Sequence, residues 1–487
     1  MAMTIPDYIL DIIKRLQVSG YEAYIVGGCV RDVLLGKEPK DWDITTNALP
    51  EQVLVVFPEA KYENIFGTVL LPIRRPVVEG ASKGELEDVV EITTYRSEQG
   101  YSDRRHPDAI RFESELDKDL ERRDFTINSL AVNPLEERGI VDLFGGQKDI
   151  KAKIIRAVGE PSDRFKEDAL RMLRAIRFSV QLGFELEPKT QRAITKLAGS
   201  LKFVSKERIR DEFIKILSSD RPALGINLLH ESKLLQYILP ELEQGVGVAQ
   251  DRHHIHPVFK HNVLSLQNCP NSAWQVRLAA LLHDVGKPQT RKIIDGIATF
   301  YNHEYAGAKI TDKIMRRLKF SANDSHRVVN LVKNHMFYYN VGEVSAASVR
   351  RLIVKVGKEN LQDLIDLRVA DRLGSGTPKA MPYKLRHLQY MLELVQNDPI
   401  SVKMLQVKGD DVMRILQIAP SPKIGMILDV LLGEVIDNPE LNNTVYLEKR
   451  ILAIGQLDLA DLRLQAKALI SEQRDKEDRE IKQHYKV

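Results

Sequence analysis

The stretch Gly27–Ile44, GGCVRDVLLGKEPKDWDI, decides the fold. The four residues before it, Ala23–Val26, are apolar and read as a short buried strand. Gly27 and Gly28 allow a tight turn in which backbone approaches a ligand with no Cβ in the way. Val30–Leu35 reads as the first turns of a helix whose free N–H groups face an anion. Asp41, Trp42 and Asp43 read as the start of a second strand. Residues two apart on a strand share a face, so the two carboxylates point one way and Trp42 the other. Parallel carboxylates repel unless a cation lies between them. Hard oxygen ligands suit Mg²⁺, which binds through one or two carboxylates plus substrate phosphates. A phosphate cradle beside such a pair is equipment for nucleotidyl transfer. A lone Asp-x-Asp is usually surface; the glycine pair one helix upstream favours the metal reading.

Outward from this stretch, the 487 residues imply three or four domains. Charged residues are 29% and hydrophobic residues 43%, ordinary for a globular protein. No apolar run approaches a membrane span. The N-terminal MAMTIPDYILDIIKRL carries Asp7 and Asp11 within an amphipathic pattern and reads as a first helix, not a targeting peptide. Cys29 and Cys269 alone exclude a disulfide framework or zinc ribbon and fit a reducing cytoplasm. With a net charge of +3, a nucleic-acid partner needs a local basic patch. Residues 151–220 supply one, with 16 Lys and Arg against 10 Asp and Glu.

Residues 1–150 mix strands and helices. Gly67–Ile73 and Val89–Tyr95 are β-rich, and Arg74–Asp88 between them reads as an extended hairpin tip. Glu91 offers a third carboxylate, although a strand-edge Glu is more often surface. Arg96–Ala109, RSEQGYSDRRHPDA, reads as a mobile loop carrying Arg104 and Arg105. In LERRDFTINSLA, Arg122 and Arg123 are consecutive and do not share a helical face. One can reach a triphosphate while the other pairs with Asp124 or a nearby element. Val141–Gly146 closes this part with a strand and a glycine turn.

From about Ile150 the pattern turns helical. Arg164–Leu182, RFKEDALRMLRAIRFSVQL, reads as one helix with Leu170, Leu173, Ile176 and Val180 on its apolar side. Asp168, Arg171, Arg174 and Arg177 follow at three-residue steps on the polar side. Such a row is commonly a set of surface ion pairs. An Asp also accepts from an exocyclic amino group, and an Arg donates to ring nitrogen or carbonyl. One Asp/Arg pair therefore suits CTP and ATP and rejects GTP and UTP. Arg174 and Arg177 then reach phosphate or brace the pair.

The GG-x-V-R-D…D-x-D, R-R-D-F-T-I-N and E-D-x-x-R segments resemble the class II tRNA nucleotidyltransferase and bacterial poly(A) polymerase family over residues 1 to about 230. The resemblance implies an α+β nucleotidyltransferase head at 1–150 and an all-α, nucleotide-selecting and RNA-binding neck at 151–228. It implies that Asp41 and Asp43 hold catalytic Mg²⁺. It implies that Gly28, Arg31, Arg123 with Arg122, Asp168, Arg171, Arg174 and Arg177 bind the incoming nucleotide. The family includes CCA-adding, CC-adding and A-adding members and poly(A) polymerases. The full-length loop Arg96–Ala109 favours an enzyme able to add the terminal A. The lack of a poly(A)-type N-terminal signature or a long basic C-terminal extension favours a tRNA substrate.

Eight of the twelve histidines fall between His253 and His335. His261, His283-Asp284 and Asp371 resemble the H…HD…D skeleton of HD-domain metal-dependent phosphohydrolases, here expected at 245–375. Imidazole with carboxylate suits transition metals or Mg²⁺/Mn²⁺. His303 and His335 allow a second metal, as in two-metal phosphoester hydrolysis. His253, His254 and His256 are assigned no role. Residues 376–487 read as a helical, tRNA-binding tail. In it Val407–Val435 is a helix, a turn at Pro420 and Pro422, and a helix opened by Lys423-Ile424-Gly425. That turn presents N–H groups to a tRNA phosphate or simply packs on the HD domain. Leu457–Val487 reads as a charged final helix.

The expected reaction is attack of a tRNA 3′-hydroxyl on the α-phosphate of CTP or ATP. The alternatives are partial addition of C or A, poly(A) synthesis, a main role as an HD phosphohydrolase on RNA ends, and a non-catalytic RNA-binding protein.

Overall fold

The computed structural model describes residues 5–64, 67–74, 86–99, 109–250, 255–337, 339–340, 344–377, 380–395, 398 and 401–462. Most of the expected hairpin tip, Arg104 and Arg105 of the loop, His253, His254 and most of the final charged segment lie outside them. The chain divides into two compact units, residues 1–243 with 317–320, and residues 244–316 with 321–487.

The first unit is built on a mixed sheet. Its strands are β1 (Ala23–Val26), β2 (Asp43–Thr46), β3 (Lys61–Asn64), β4 (Thr68–Arg74), β5 (Leu86–Thr94), β8 (Ala131–Val132) and β9 (Ile140–Val141). β6 (Arg96–Gln99) and β7 (Ala109–Phe112) form a separate antiparallel ribbon. The seven-stranded order is β3-β4-β5-β2-β1-β8-β9, and only β2 and β5 run parallel. β1 is buried along its whole length, as a central strand requires. The helix Asp7–Val18 buries Ile9, Ile12, Ile13 and Leu16, one apolar stripe at helical spacing.

The segment read as a single helix over 164–182 is two helices, Pro161–Glu167 and Leu170–Leu182. Asp168 between them is extended, with φ −138° and ψ 107°. Its Oδ1 accepts the Leu170 amide at 3.0 Å. An Asp side chain competes with the helix for backbone donors and favours starting a helix over continuing one. Leu170, Leu173, Ile176 and Val180 are buried, as their spacing predicts. This region also holds a short parallel pair, Ile154–Ile155 with Glu185–Leu186, which helical periodicity did not reveal.

Among the described residues the second unit is helical apart from one ribbon, Lys292–Ile294 with Ile297–Thr299. Val258–Gln267, Trp274–Leu282, His303–Arg317, Ala322–Asn334 and Leu361–Gly374 surround the histidine cluster. Ala346–Val356, Leu361–Gly374 and Tyr383–Val395 share a second core of Val349, Ile353, Ile365, Leu385 and Leu388. Gly409–Leu416, Pro422–Asp437 and Thr444–Ile454 enclose a third around Val412, Leu431 and Ile451. Pro422 is the first residue of its helix, where its missing N–H costs nothing. Lys423 donates to the Gly455 carbonyl at 2.7 Å, so its ammonium serves the end of another helix.

Candidate active site and metal centre

Gly27 leaves β1 with φ 88°, a conformation that glycine adopts without strain. A Cβ there would stand 2.9 Å from Arg123 Nη1. The backbone conformation thus calls for glycine, and a side chain there would also push the guanidinium aside. Gly28 begins the following helix, Gly28–Leu34, two residues before the sequence suggested. Arg31 on that helix is buried and donates to Asn128 Oδ1 at 2.6 Å and to Asp32 Oδ1 at 2.9 Å.

Asp43 opens β2, but Asp41 lies in the bend before the strand. Alternation along one strand therefore does not align the pair as expected. Trp42 is buried and Asp41 exposed. The carboxylates nonetheless influence each other. Burial pushes the Asp43 pKa up, Arg123 pulls it down, and Asp41 adds to the rise. Glu91 is the β5 partner of Asp43. Its pKa is raised by burial, then by Asp43, Glu63 and Asp41. Asp43 and Glu91 are register partners on neighbouring strands and both feel the charge of Asp41, and hard oxygen donors of this kind suit a divalent cation such as Mg²⁺.

Both arginines of the RRD triplet turn to Asp119, which is fully buried. Arg122 Nε donates to it at 3.0 Å and Arg123 Nη2 at 3.1 Å. Burial alone would raise the Asp119 pKa; Arg122 and Arg123 outweigh it and hold the carboxyl below its usual range. Asp124 pairs instead with Arg174, whose Nε and Nη2 both stand 2.7 Å from Oδ2. Burial opposes that ionisation too, and Arg174 prevails, leaving the Asp124 pKa at about 2.

The Asp/Arg row does not form a ladder along one helix. Arg171 binds Glu167 and donates to the Arg122 carbonyl at 3.1 Å. Arg177 is buried against the Phe178 ring and donates to Glu212 at 3.1 Å. Asp168 is gripped by Arg208, with Nη2 to Oδ2 at 2.7 Å and Nη1 to Oδ1 at 3.3 Å. Sequence reasoning missed Arg208. It lies 40 residues away on the helix Lys206–Leu217, and its fork meets Asp168 only after the two helices pack. A carboxylate has about four acceptor positions. Leu170 and Arg208 supply three contacts, leaving room for one more donor.

In the second unit, five of the six metal-candidate residues sit at or near helix ends. His283 and Asp284 follow Trp274–Leu282, His303 begins its helix, His335 follows Ala322–Asn334, and Asp371 is in the last turn of Leu361–Gly374. His261, the sixth, lies in the first turns of Val258–Gln267. One group is His261, His283 and Asp371, and the other is Asp284, His303 and His335. Asp284 faces both: Oδ2 is 3.3 Å from His261 Nε2 and from His283 Nε2, and Oδ1 is 3.2 Å from His303 Nε2.

The Nδ1 atoms of His283, His303 and His335 meet the carbonyls of Ala280, Phe300 and Val332 at 2.9, 2.8 and 2.7 Å. We assign the protons to Nδ1 on that basis, which leaves each Nε2 a lone pair aimed inward. His303 and His335 Nε2 then face each other at 3.3 Å with no proton between them. A cation would relieve that repulsion, so the donor chemistry of the two groups suits divalent metal, with Asp284 facing both and its Oδ2 also paired with Lys287 at 2.7 Å. Gly286 makes the packing possible, because a Cβ there would lie 2.2 Å from the His303 carbonyl oxygen.

Three family models match this chain. Residues 23–156 match the poly(A) polymerase head domain, residues 183–245 match "probable RNA and SrmB-binding site of polymerase A", and residues 266–375 match the HD domain. The fold and site thus define a template-independent nucleotidyltransferase head joined to an HD domain. An A-adding tRNA nucleotidyltransferase of Deinococcus radiodurans is 37% identical over 342 residues, 66% of this chain and 76% of that one. The CCA-adding enzyme of Lactobacillus delbrueckii subsp. bulgaricus is 48% identical over 208 residues, 42% of this chain, and the match spans only 49% of that enzyme. The crystal structure of the Bacillus stearothermophilus CCA-adding enzyme in complex with CTP superposes with a TM-score of 0.68 at 26% identity, over 92% of this chain and 97% of that one. The fold is also that of the Thermotoga maritima CCA-adding enzyme complexed with tRNA, at a TM-score of 0.54, 20% identity and coverage of 93% and 96%. The chain belongs to the tRNA nucleotidyltransferase family. No helix among the described residues is long and apolar enough to cross a membrane.

Proposed function

We propose that this protein adds C and A to the 3′ end of tRNA from CTP and ATP, without a nucleic-acid template. The carrying observation is the electrostatic influence of Arg123 on Asp43, the bond from Arg123 to Asp119, and the Asp124–Arg174 ion pair next to it in the chain. It ties the carboxylate cluster to the segment bearing Asp168 and Arg171 within one folded unit. The relatives' names, and the neighbours' complexes with CTP and tRNA, point the same way.

The tRNA 3′-oxygen forms a bond to the α-phosphorus of the nucleotide, the α–β phosphoanhydride bond breaks, and pyrophosphate leaves. Mg²⁺ held by Asp41 and Asp43, with Glu91 beside them, supplies charge neutralisation and a lowered hydroxyl pKa when bound. Arg123 lies beside Asp43 and faces the Gly27 turn, where the triphosphate's negative charge is compensated. Gly28 and Arg31 shape that turn, and Arg122 orients Arg123 through Asp119. Asp168 accepts from the exocyclic amino group that C and A carry and that G and U lack at that position. Arg171 donates to the neighbouring ring acceptor, and Arg174 and Arg177 brace the helix.

The working parts are the head at 1–150, the neck at 151–228, the HD domain at 245–375 and the tail at 376–487, in a cytoplasmic protein. A second activity, metal-dependent phosphoester hydrolysis, is favoured by the two three-ligand groups around Asp284. The deciding experiment incubates the protein with tRNA lacking CCA, ending in C, and ending in CC, with each labelled NTP separately. Full addition incorporates C and then A. A alone on the CC end marks an A-adding enzyme, and unlimited A on any RNA marks a poly(A) polymerase.

A further inference from the structure

We propose that the outward face of the helix Tyr383–Val395 is a stacking platform for unpaired bases of the RNA substrate, flanked by cations that meet its phosphates. The proposal rests on the reading that the substrate is a tRNA.

Leu385, Leu388, Leu392 and Val395 already anchor this helix on the core it shares with Val349, Ile353, Ile365 and Val369. The opposite face is therefore free to be polar. It instead carries Tyr383, His387, Tyr390 and Leu394 at i, i+4, i+7 and i+11, a single stripe. Tyr383 is 62% exposed, and Tyr390 and Leu394 are each 58% exposed. The rings are mutually ordered: His387 lies 5.9 Å from Tyr383 and 5.9 Å from Tyr390, centroid to centroid. Tyr339 backs His387 at 6.0 Å, and its hydroxyl shares a 2.5 Å hydrogen bond with His387 Nδ1. A fixed row of exposed rings is costly to display unless something covers it.

The flanks say what covers it. Lys384 and Arg386 border the stripe and are exposed, and Glu393 is the one acid on the helix. Aromatic rings with polar tips between cations match stacked bases and phosphates better than a dry apolar protein partner. Every base has a π-face, so such a platform adds affinity for the body of the RNA without reading its sequence.

The test compares the full-length protein with the Tyr383→Ala/Tyr390→Ala variant, using tRNA lacking CCA. The KM for tRNA is expected to rise about tenfold or more, the range of one lost base–ring stack. The kcat and the KM for CTP stay unchanged, and Tyr383→Phe/Tyr390→Phe restores the wild-type value. A Tyr390→Trp protein reports directly, its fluorescence shifting on addition of tRNA. An unchanged KM for tRNA with no fluorescence response overturns the proposal. So does a wild-type dimer that the alanine variant turns into monomer in sedimentation, which would make the stripe an interface between copies. If the wild type extends no tRNA end, the proposed function fails, and the fluorescence response alone decides the platform.

Discussion

Arg208 holds the Asp168 carboxylate through both terminal guanidinium nitrogens, at 2.7 and 3.3 Å, although the local sequence points to Arg171 as its partner. A fork of this kind fixes the plane of a carboxylate as well as its charge. Arg208 thus orients the group assigned to the base's amino hydrogens. The expected effect of Arg208→Ala is a fall of about 5- to 150-fold in kcat/KM for both CTP and ATP, the worth of one good bidentate contact. Arg208→Lys recovers little, because an ammonium lacks the fork. Steady-state kinetics with each of the four NTPs, including misincorporation of GTP and UTP, reads this out.

The Asp124–Arg174 pair has a pH signature. The folded pKa of Asp124, about 2, lies below the ordinary aspartate value near 4. A depressed carboxyl contributes stability that is present above the unfolded value and lost as pH falls through the folded one. The wild type should therefore lose this contribution between about pH 4 and pH 2, as seen in urea titrations at stepped pH. Asp124→Ala should remove about 3 kcal/mol at pH 7, the low end for a broken buried pair because Arg174 is a third exposed, and should flatten that step.

Gly27→Ala forces a side chain into a left-handed backbone against Arg123. Strain of this kind costs about 1–3 kcal/mol. The displaced guanidinium also loses its place beside Asp43. Nucleotide addition is expected to fall by more than the stability loss explains, which thermal melts and single-turnover rates measured on the same preparation separate.

The histidine centre gives a count. Metal analysis of protein loaded with Mn²⁺ is expected to find two ions per chain, one after His303→Ala, and fewer than one after Asp284→Ala, whose carboxylate faces both groups. These variants should keep wild-type nucleotide addition. Equal metal content in all three proteins would reject metal binding by His303 and Asp284.

Several of these features were legible in the sequence because the signal was local. The Gly27 turn and the apolar side of Leu170–Leu182 follow from local spacing, and the histidine centre is read through the resemblance to the H…HD…D skeleton. Other features arise from packing. Asp41 precedes its strand, so the coupling of Asp41, Asp43 and Glu91 comes from the sheet order that sets β5 beside β2. The helix read through 164–182 breaks because Asp168 takes the Leu170 amide, a choice that periodicity does not weigh. Arg122 and Asp124 are neighbours in sequence yet choose Asp119 and Arg174, since the buried carboxylates are matched by geometry and not by proximity along the chain. His303 and His335 become a pair only when two helix termini converge.

Nucleotide addition is proposed to depend above all on Asp43 beside the Gly27 turn. The most direct measurement is single-turnover incorporation of labelled CTP into tRNA lacking CCA by Asp43→Ala, alongside tRNA binding by the same protein. Incorporation is expected to fall by about a thousandfold or more, the scale of removing a group that stabilises transition-state charge, with tRNA affinity near wild type. Incorporation at the wild-type rate would contradict that dependence.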